Sequence, residues 1–305
     1  MVRIAAIGEC MLELSGQTGR TWRMGFAGDT FNTLWTIRAL SSSHEIDYVS
    51  AFGDDPFSQD QIAFLREHDI GIAASPIIRG ARPGLYAIKL EGAERSFTYW
   101  RGDAAARQLA SSPAALAKSL EQRTLVYFSG ITLAILDAGA RRTLLQAIAH
   151  ARAHGSHIAF DPNWRPRLWP DAASARSGID EALKVTDIAL PTFPDEQELY
   201  GDASPEATVL RLQKAGVGEI VVKNGEHAAL VSHYEDTFRV PATRVAAPLD
   251  TTGAGDAFNG GYLAARLLGL PPEEAAARAH RVAAAVVQVR GALAPFATLK
   301  VAFDL

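Results

Sequence analysis

Short apolar runs alternate with helix-like segments through most of this chain of 305 residues. The apolar runs lie at 2–7, 46–52, 124–129, 157–160, 187–190 and 219–223. Apolar residues recur at helical spacing at 57–68, 137–154, 172–184 and 194–215. Such alternation predicts a largely parallel β-sheet that is covered by helices on both faces. Ligands of these sheets bind beyond the carboxyl ends of the strands, so we expect the functional site there.

One region interrupts this alternation. Two strand-like runs within 84–101 are joined by a turn at 91–94, which is the pattern of a β-hairpin and leaves no room for a crossover helix. The stretch 11–26 is also too irregular for a layer of the α/β domain. The sequence therefore predicts a single domain over residues 1–305, with a small β lid formed by about 11–26 and 84–101.

Composition and charge disfavour several classes of protein. Hydrophobic residues make up 48% of the chain and charged residues 21%, as in ordinary soluble globular proteins. The formal net charge of −4 gives no general attraction to a phosphate backbone, so we expect no nucleic-acid partner. The single cysteine, Cys10, cannot form an intrachain disulfide. No apolar run is long enough for a signal peptide or for the roughly 20 residues of a membrane helix, so we expect a cytoplasmic protein without membrane contact.

The most informative segment is 250–261, with the sequence DTTGAGDAFNGG, which opens a helical pattern. A small-residue turn at a helix start leaves backbone N–H groups unpaired, and the helix dipole adds positive potential, so such a turn binds anions. Asp256 in the first helical turn then has two interpretations. It either complements the helix dipole or acts as a general base that takes a proton from an attacking hydroxyl. The short motif Gly-Ala-Gly-Asp leaves both open.

The longer run at 250–258 resembles the C-terminal signature of the PfkB carbohydrate kinases, which have a ribokinase-like fold. The resemblance implies a three-layer α/β/α domain with a mostly parallel central sheet and a small β lid. It also implies that Asp256 is the catalytic base and that the backbone of Gly253, Ala254 and Gly255 forms an anion hole for the transferred phosphoryl group. No Walker-type G-x-x-x-x-G-K-[ST] motif is present, so phosphate would bind at this turn.

Further segments extend the resemblance. In the family a Gly-Gly-x-x-x-Asn element binds the sugar hydroxyls, and the corresponding residues here are Gly28, Asp29 and Asn32. Ala27 replaces the usual first glycine of that element, which is a mild departure from the family pattern. The resemblance thus makes these three residues candidates for substrate binding.

The resemblance sharpens to the 2-keto-3-deoxygluconate kinase subfamily at 7–11, 28–30, 82–86, 99–101, 129–131 and 161–169. The substrate of that subfamily is a sugar acid, so the pocket should present cations and hydrogen-bond donors to a carboxylate. Tyr86, Arg101 and Arg165 meet that requirement, and Asp250 and Asp256 complete the expected substrate contacts. The implied reaction is ATP-dependent phosphorylation of the C6 hydroxyl.

The nucleotide is expected on the other side of the anion hole. By resemblance, Asn163, Lys223 and Gly225 line the phosphates and ribose of ATP, together with the anion-hole turn, while Ala284 and Gln288 lie near the adenine. Mg²⁺ is also expected, because it keeps most of its water shell and bridges phosphate oxygens.

The expected metal position departs from the family pattern. The metal-associated Asn-x-x-Glu of the family corresponds here to Thr192-x-x-Asp195, and Glu196 follows directly. Either Asp195 or Glu196 would therefore bind Mg²⁺ through its water shell, and the sequence leaves the choice between them open.

Two other functions stay open at this point. The first is a kinase for another sugar, of the fructokinase or ribokinase type, and the second is a non-catalytic sugar or nucleotide sensor on the same fold. An NAD-dependent enzyme is disfavoured because no G-x-G-x-x-G follows a first strand. Because the predicted hairpin carries aromatic residues such as Tyr99 and Trp100, and lids of this family pair across a dimer, we also expect a homo-oligomer.

Overall fold

The structure is a computed structural model that describes residues 2–16, 21–41, 43–91, 94–234 and 236–305. The strands are β1 Arg3–Ile7, β2 Met11–Gly16, β3 Trp22–Ala27, β4 Glu45–Val49, β5 Phe52–Gly53, β6 Ile77–Ile78, β7 Leu85–Glu91, β8 Glu94–Trp100, β9 Leu125–Ser129, β10 His157–Asp161, β11 Ile188–Ala189, β12 Glu219–Val222, β13 Ala229–His233 and β14 Asp236–Val240. The α-helices are α1 Asp29–Leu40, α2 Pro56–Glu67, α3 Pro113–Leu120, α4 Gly130–Ala134, α5 Ala138–Ala153, α6 Ala172–Leu183, α7 Phe193–Tyr200, α8 Pro205–Lys214, α9 Ala254–Leu267, α10 Pro272–Val286 and α11 Phe296–Asp304.

An eight-stranded sheet forms the centre of the domain, in the order β14-β13-β12-β11-β10-β9-β1-β4. Neighbours from β12 to β4 are parallel, whereas β13 and β14 add an antiparallel edge. The predicted mostly parallel sheet is therefore confirmed. The antiparallel edge was not predicted from the sequence.

Helices cover both faces of this sheet, and alternate residues of one strand enter two separate cores. In β9, Leu125 and Tyr127 pack on the side of α1, α9, α10 and α11. Their neighbours Val126 and Phe128 pack on the side of α3, α5, α6 and α8. This alternation follows from the two-residue period of a strand, since both faces are buried. The three-layer α/β/α architecture is thereby confirmed.

The sequence predicts helical structure over 194–215, and the structure divides this stretch into two helices, α7 and α8. Gly201 has a φ of 76° and ends α7 in the left-handed conformation that glycine adopts most easily. Ser204 then caps α8 by accepting a hydrogen bond from the backbone N–H of Ala207, and Pro205 occupies the first helical position.

A second, four-stranded sheet has the order β3-β2-β7-β8. It combines the two segments from which the sequence predicts a lid; residues 17–20 of the first segment and 92–93 of the expected turn lie outside the described residues. One face of this sheet carries Glu13, Tyr86 and Ile88, and the other carries Leu12, Leu14, Ala87 and Trp100. Its function as a lid stays a prediction. Across the described ranges, none of the helices has the length and apolarity to cross a membrane.

Candidate active site

The residues expected at the site gather where the parallel strands of the main sheet end. Asp29 begins α1, Asn163 follows β10 and Lys223 follows β12. Two residues that were not predicted for the site, Glu9 after β1 and Asp161 at the end of β10, lie at the same edge of the sheet. Asp256 lies in the first turn of α9, which packs against α1. This is the edge at which ligands of parallel sheets bind.

The first turn of α9 has the backbone geometry of an anion site. Gly253 caps the helix with a φ of 76°, and a Cβ there would lie 2.8 Å from the Cβ of Ala292. The N–H of Ala254 donates to the carbonyl oxygen of Thr251 at 3.3 Å, and the next amides of the turn begin a helix without partners inside it. Gly255 is exposed, and a Cβ there would meet no described atom within 4 Å. A phosphate group can therefore approach this backbone closely.

Asp256 has the surroundings of a base that works near neutral pH. Its Oδ2 accepts a hydrogen bond of 2.8 Å from Nδ2 of Asn32, and its carbonyl oxygen accepts one of 3.1 Å from Oγ1 of Thr33. Burial raises the pKa of Asp256 to about 7, and the nearby carboxyl of Asp29 adds to this rise, while the hydrogen bond from Asn32 opposes it. A pKa in this range suits a general base.

Asn32 and Asn163 connect the candidate residues to one another. Oδ1 of Asn32 accepts a hydrogen bond of 3.3 Å from the N–H of Gly28, so the side chain links Gly28 to Asp256. Nδ2 of Asn163 donates to Oδ2 of Asp29 at 2.9 Å. The structure therefore joins a residue expected at the sugar to one expected at ATP. Burial raises the pKa of Asp29, and hydrogen bonds from Ser129, from the backbone of Thr30 and from Asn163 oppose that rise.

Lys223 lies in a buried polar network that sequence reasoning missed. Its side-chain nitrogen donates to Oδ2 of Asp161 at 2.7 Å and to Oδ1 of Asn259 at 2.8 Å. Asn259 lies one helical turn beyond Asp256, and this spacing was the available signal for its proximity. Nothing in the local sequence indicates the contact with Asp161, because the two residues belong to different strands.

The boundary between the two sheets contains a second missed contact. Nη2 of Arg101 donates to Oε2 of Glu9, and this carboxylate is 2% exposed. The other Glu9 oxygen and Nε of Arg101 are buried without a hydrogen-bond partner among the described residues. Burial raises the pKa of Glu9, and Arg101 opposes that rise. The Arg101 guanidinium, which we expect to bind a substrate carboxylate, thus binds a carboxylate of the protein and keeps further N–H donors.

Tyr86 faces a carboxylate of its own sheet. Its hydroxyl donates to Oε2 of Glu13, whose Oε1 accepts a hydrogen bond of 2.7 Å from Ser15. The ring of Tyr86 stacks on Tyr99, with 5.7 Å between the centroids. Because a phenol has a single proton, Tyr86 in this arrangement offers a ligand only its oxygen lone pairs.

The two carboxylates expected near Mg²⁺ differ in their surroundings. Asp195 accepts a hydrogen bond of 3.2 Å from Nη1 of Arg165, whose side chain is half-exposed. Glu196 is buried against Arg211, which also pairs with Asp202 at 2.8 Å. Burial raises the pKa of Glu196 to about 7. Burial also raises the pKa of Asp195, and the positive charge of Arg165 opposes that rise. Asp195 is therefore the more accessible of the two.

A magnesium ion held mainly by water fits these residues. In the part of the chain that the structure describes, no group of three or more His, Cys, Asp or Glu side chains is arranged to hold a metal ion directly. Mg²⁺ commonly keeps several waters and binds proteins through one or two carboxylates plus substrate phosphates. Asp195 provides a carboxylate of this kind.

The remaining candidates are less tightly grouped. Asp250 is buried, and its two carboxylate oxygens accept hydrogen bonds from the N–H groups of Thr252 at 3.0 Å and Gly291 at 2.8 Å. Gly225 is exposed in the loop after β12 with a φ of 59°. Gln288 is exposed at the end of α10, and its side chain donates to the carbonyl oxygen of Ala284 at 2.9 Å. The roles of these residues at the ligands stay predictions.

Comparisons with known proteins agree with this geometry. The domain described as pfkB family carbohydrate kinase matches residues 1–299. The chain is 41% identical over 300 residues to the 2-dehydro-3-deoxygluconokinase of Dickeya dadantii, covering 96% of both chains. It is 40% identical over 301 residues to the protein of the same name from Escherichia coli K12, covering 96% of this chain and 97% of that one.

Solved structures support the fold. The putative ribokinase II of E. coli in complex with ATP and Mg²⁺ superposes with a TM-score of 0.86 at 24% identity, covering 100% of this chain and 99% of that one. The fold, the site at the carboxyl ends of the strands and the match over nearly the whole length agree. The chain belongs to the pfkB family of carbohydrate kinases.

Proposed function

We propose that this carbohydrate kinase transfers the γ-phosphoryl group of ATP to the C6 hydroxyl of 2-keto-3-deoxygluconate, which is also called 2-dehydro-3-deoxygluconate. The names of the two bacterial relatives and their identity over nearly the full length support this substrate. The observation that carries the proposal is the position of Asp256. Its carboxylate lies in the first turn of α9, directly after Gly255, whose backbone is exposed and can be approached by an anion.

The reaction follows from this arrangement. Asp256 takes the proton of the C6 hydroxyl, and the hydroxyl oxygen forms a bond to the γ-phosphorus as the bond to the β-phosphate oxygen breaks and ADP leaves. The amides at 253–255 stabilise negative charge on the transferred group. Mg²⁺, when bound, neutralises charge on the phosphate oxygens, and Asp195 is the carboxylate best exposed to its water shell.

Recognition of a sugar acid would use the two arginines. Arg101 keeps donors beyond the one that binds Glu9, and Arg165 is half-exposed beside Asp195. Guanidinium groups suit carboxylates because they bind them through two parallel hydrogen bonds. We assign sugar hydroxyl contacts to Gly28, Asp29 and Asn32, and these assignments stay predictions.

The second candidate is a kinase for a neutral sugar. One observation favours it: both arginines are already paired with carboxylates, so part of their charge is neutralised. Initial rates with 2-keto-3-deoxygluconate, its galactonate epimer, fructose and ribose separate the candidates. We expect the highest kcat/KM for a sugar acid. A higher value for fructose or ribose would contradict the proposal, and no transfer to any sugar would favour a sensor.

The assembly and location are proposals of the same kind. Trp22, Met24 and Trp100 are exposed on the face of the four-stranded sheet that carries Leu12 and Leu14, which we call its outer face. Trp22 and Trp100 line a groove of about 780 Å³ that also includes Phe57 of α2. We propose that a second copy of this chain covers this face, which would give a homo-oligomer. The cytoplasmic location expected from the sequence stays a prediction.

A further inference from the structure

Lys223 is bound on two sides by side chains of its own protein. The residue is 6% exposed, and its side chain donates to Asp161 at 2.7 Å and to Asn259 at 2.8 Å. Nδ2 of Asn259 in turn donates to the same Asp161 oxygen at 2.7 Å and approaches the hydroxyl of Tyr127 at 3.1 Å. Asp161 and Tyr127 belong to β10 and β9, Asn259 belongs to α9, and Lys223 directly follows β12, so the network joins the main sheet to the helix of the candidate base.

These contacts argue against direct binding of the ATP phosphates by Lys223. An ammonium group has three protons, and two of them are committed to Asp161 and Asn259. Moving the ammonium towards a phosphate would leave the Asp161 carboxylate buried without its counter-ion, which is costly. The cost of an uncompensated Asp161 charge therefore favours an arrangement in which Lys223 stays with Asp161.

The same network reaches the catalytic turn. Asn259 is fully buried and lies three residues after Asp256, so the two share one side of α9. Oγ1 of Thr33 in α1 donates to the carbonyl oxygen of Asp256 at 3.1 Å and lies 3.4 Å from the hydroxyl of Tyr127. The first turn of α9 is thus fixed from the sheet and from α1 by connected hydrogen bonds.

We propose that Lys223 is a positioning residue that holds α9, and with it the Asp256 carboxylate, in place against α1, and that it does not bind the ATP phosphates. The proposal rests on the proposed function, because it takes Asp256 as the base. The family resemblance implies that Lys223 contacts the nucleotide, whereas this proposal assigns it contacts with Asp161 and Asn259 only.

Charges around Asp256 give this role a measurable signature. Asp29 faces it from α1, Asp161 from β10 and Lys223 from the end of β12. The two carboxylates raise the pKa of Asp256, and the ammonium lowers it. Because the base acts when deprotonated, loss of the ammonium should move the rise of kcat to higher pH and lower the rate at pH 7.

The test compares Lys223→Met with the double variant Asp161→Asn/Lys223→Met, in which both charges are removed. Calorimetry gives the Kd for ATP with Mg²⁺, and steady-state rates give kcat from pH 5.5 to 9. For Lys223→Met we expect a Kd within about threefold of the unaltered protein, and a kcat at pH 7 reduced by about tenfold or more, with partial recovery at high pH. In the double variant we expect the pH profile to return towards that of the unaltered protein, since opposite effects on Asp256 are removed together.

Two other results would overturn the proposal. A Kd for ATP weakened by about tenfold or more in both variants, with the pH profile unchanged, would make Lys223 a phosphate ligand and overturn the proposal. Loss of thermal stability with an unchanged kcat and pH profile would overturn it as well. If Lys223→Met does not fold, the Kd for ATP of the double variant decides whether Lys223 binds phosphate. If the unaltered protein phosphorylates no sugar, the proposed function fails, whereas the ATP affinities still decide whether Lys223 binds phosphate.

Discussion

The side-chain amide of Asn32 donates a hydrogen bond of 2.8 Å to the carboxylate of Asp256, and its oxygen accepts the N–H of Gly28. This contact lowers the pKa of Asp256 against the effect of burial, which raises it to about 7. The asparagine to which we assign a sugar contact therefore also acts on the candidate base. Its replacement should change the pH dependence of the reaction and not only the affinity for sugar.

For Asn32→Ala we expect the pKa of Asp256 to rise, because the hydrogen bond that favours the carboxylate is lost. The rise of kcat with pH should then move to higher pH, and activity at pH 6.5 should fall more than activity at pH 8.5. Profiles of kcat at saturating sugar and ATP measure this directly. A uniform loss at every pH, or a change of KM alone, would contradict a role of Asn32 at the base.

Asp256→Asn should remove the base while preserving the shape of the site. We expect kcat to fall by at least ~100-fold, as on loss of a general base, with little change in the KM for sugar. Near-normal turnover would contradict the assignment.

Stability supplies the control for the same variant. A carboxyl whose pKa is raised in the folded state stabilises the protein at low pH and loses this contribution as pH rises towards 7. Asp256→Asn should therefore melt no lower than the unaltered protein at pH 8. A clearly lower Tm at that pH would mean that lost activity reflects unfolding.

The sequence was a good guide to the geometry of the candidate site wherever that geometry depends on a continuous segment. The turn at 253–256 carries its anion-binding backbone and its carboxylate within four consecutive residues. The alternation of apolar runs likewise located the carboxyl edge of the sheet. Local chain geometry fixes such features, so a pattern in the sequence can indicate them.

Sequence patterns could not indicate contacts between segments that are far apart in the chain. Lys223 and Asp161 are 62 positions apart, and Arg101 and Glu9 are 92 apart. Each side chain alone has the features of a ligand-binding residue, and only the packing of the strands shows that its nearest partner is another residue of the protein. Sequence patterns therefore could not indicate the protein partners of Lys223, Arg101 and Arg165, since an exposed cation and a paired one look alike in a sequence.

The pair between Arg101 and Glu9 should contribute to stability. Both side chains are largely buried, and removal of one partner leaves an uncompensated charge. We expect Glu9→Ala to lower the free energy of unfolding by about 3 kcal/mol. In the double variant Glu9→Ala/Arg101→Met the loss should be smaller than the sum of the two single losses. Urea unfolding of the four proteins measures the coupling, and strict additivity would contradict a direct interaction.

Gly253 should tolerate a side chain poorly. Its φ of 76° is strained for other residues, and an added Cβ would lie 2.8 Å from the Cβ of Ala292. We expect Gly253→Ala to cost about 1–3 kcal/mol of stability and to lower kcat by displacing the anion-binding amides. Gly255→Ala is the matched control for stability, because an added Cβ there meets no described atom within 4 Å. Equal changes in Tm for both variants would contradict this account.

The outer face of the four-stranded sheet should be an interface between two copies of the chain. Trp100 is 57% exposed there beside other apolar residues, and a contiguous apolar surface of this kind typically marks a contact site. We expect light scattering to show a dimer or a larger assembly, and Trp100→Glu to shift it to monomer. Leu210→Glu is the matched control, since Leu210 is also 57% exposed but lies on α8, away from this sheet. A monomeric unaltered protein, or dissociation by the control as well, would show that this face is not the interface.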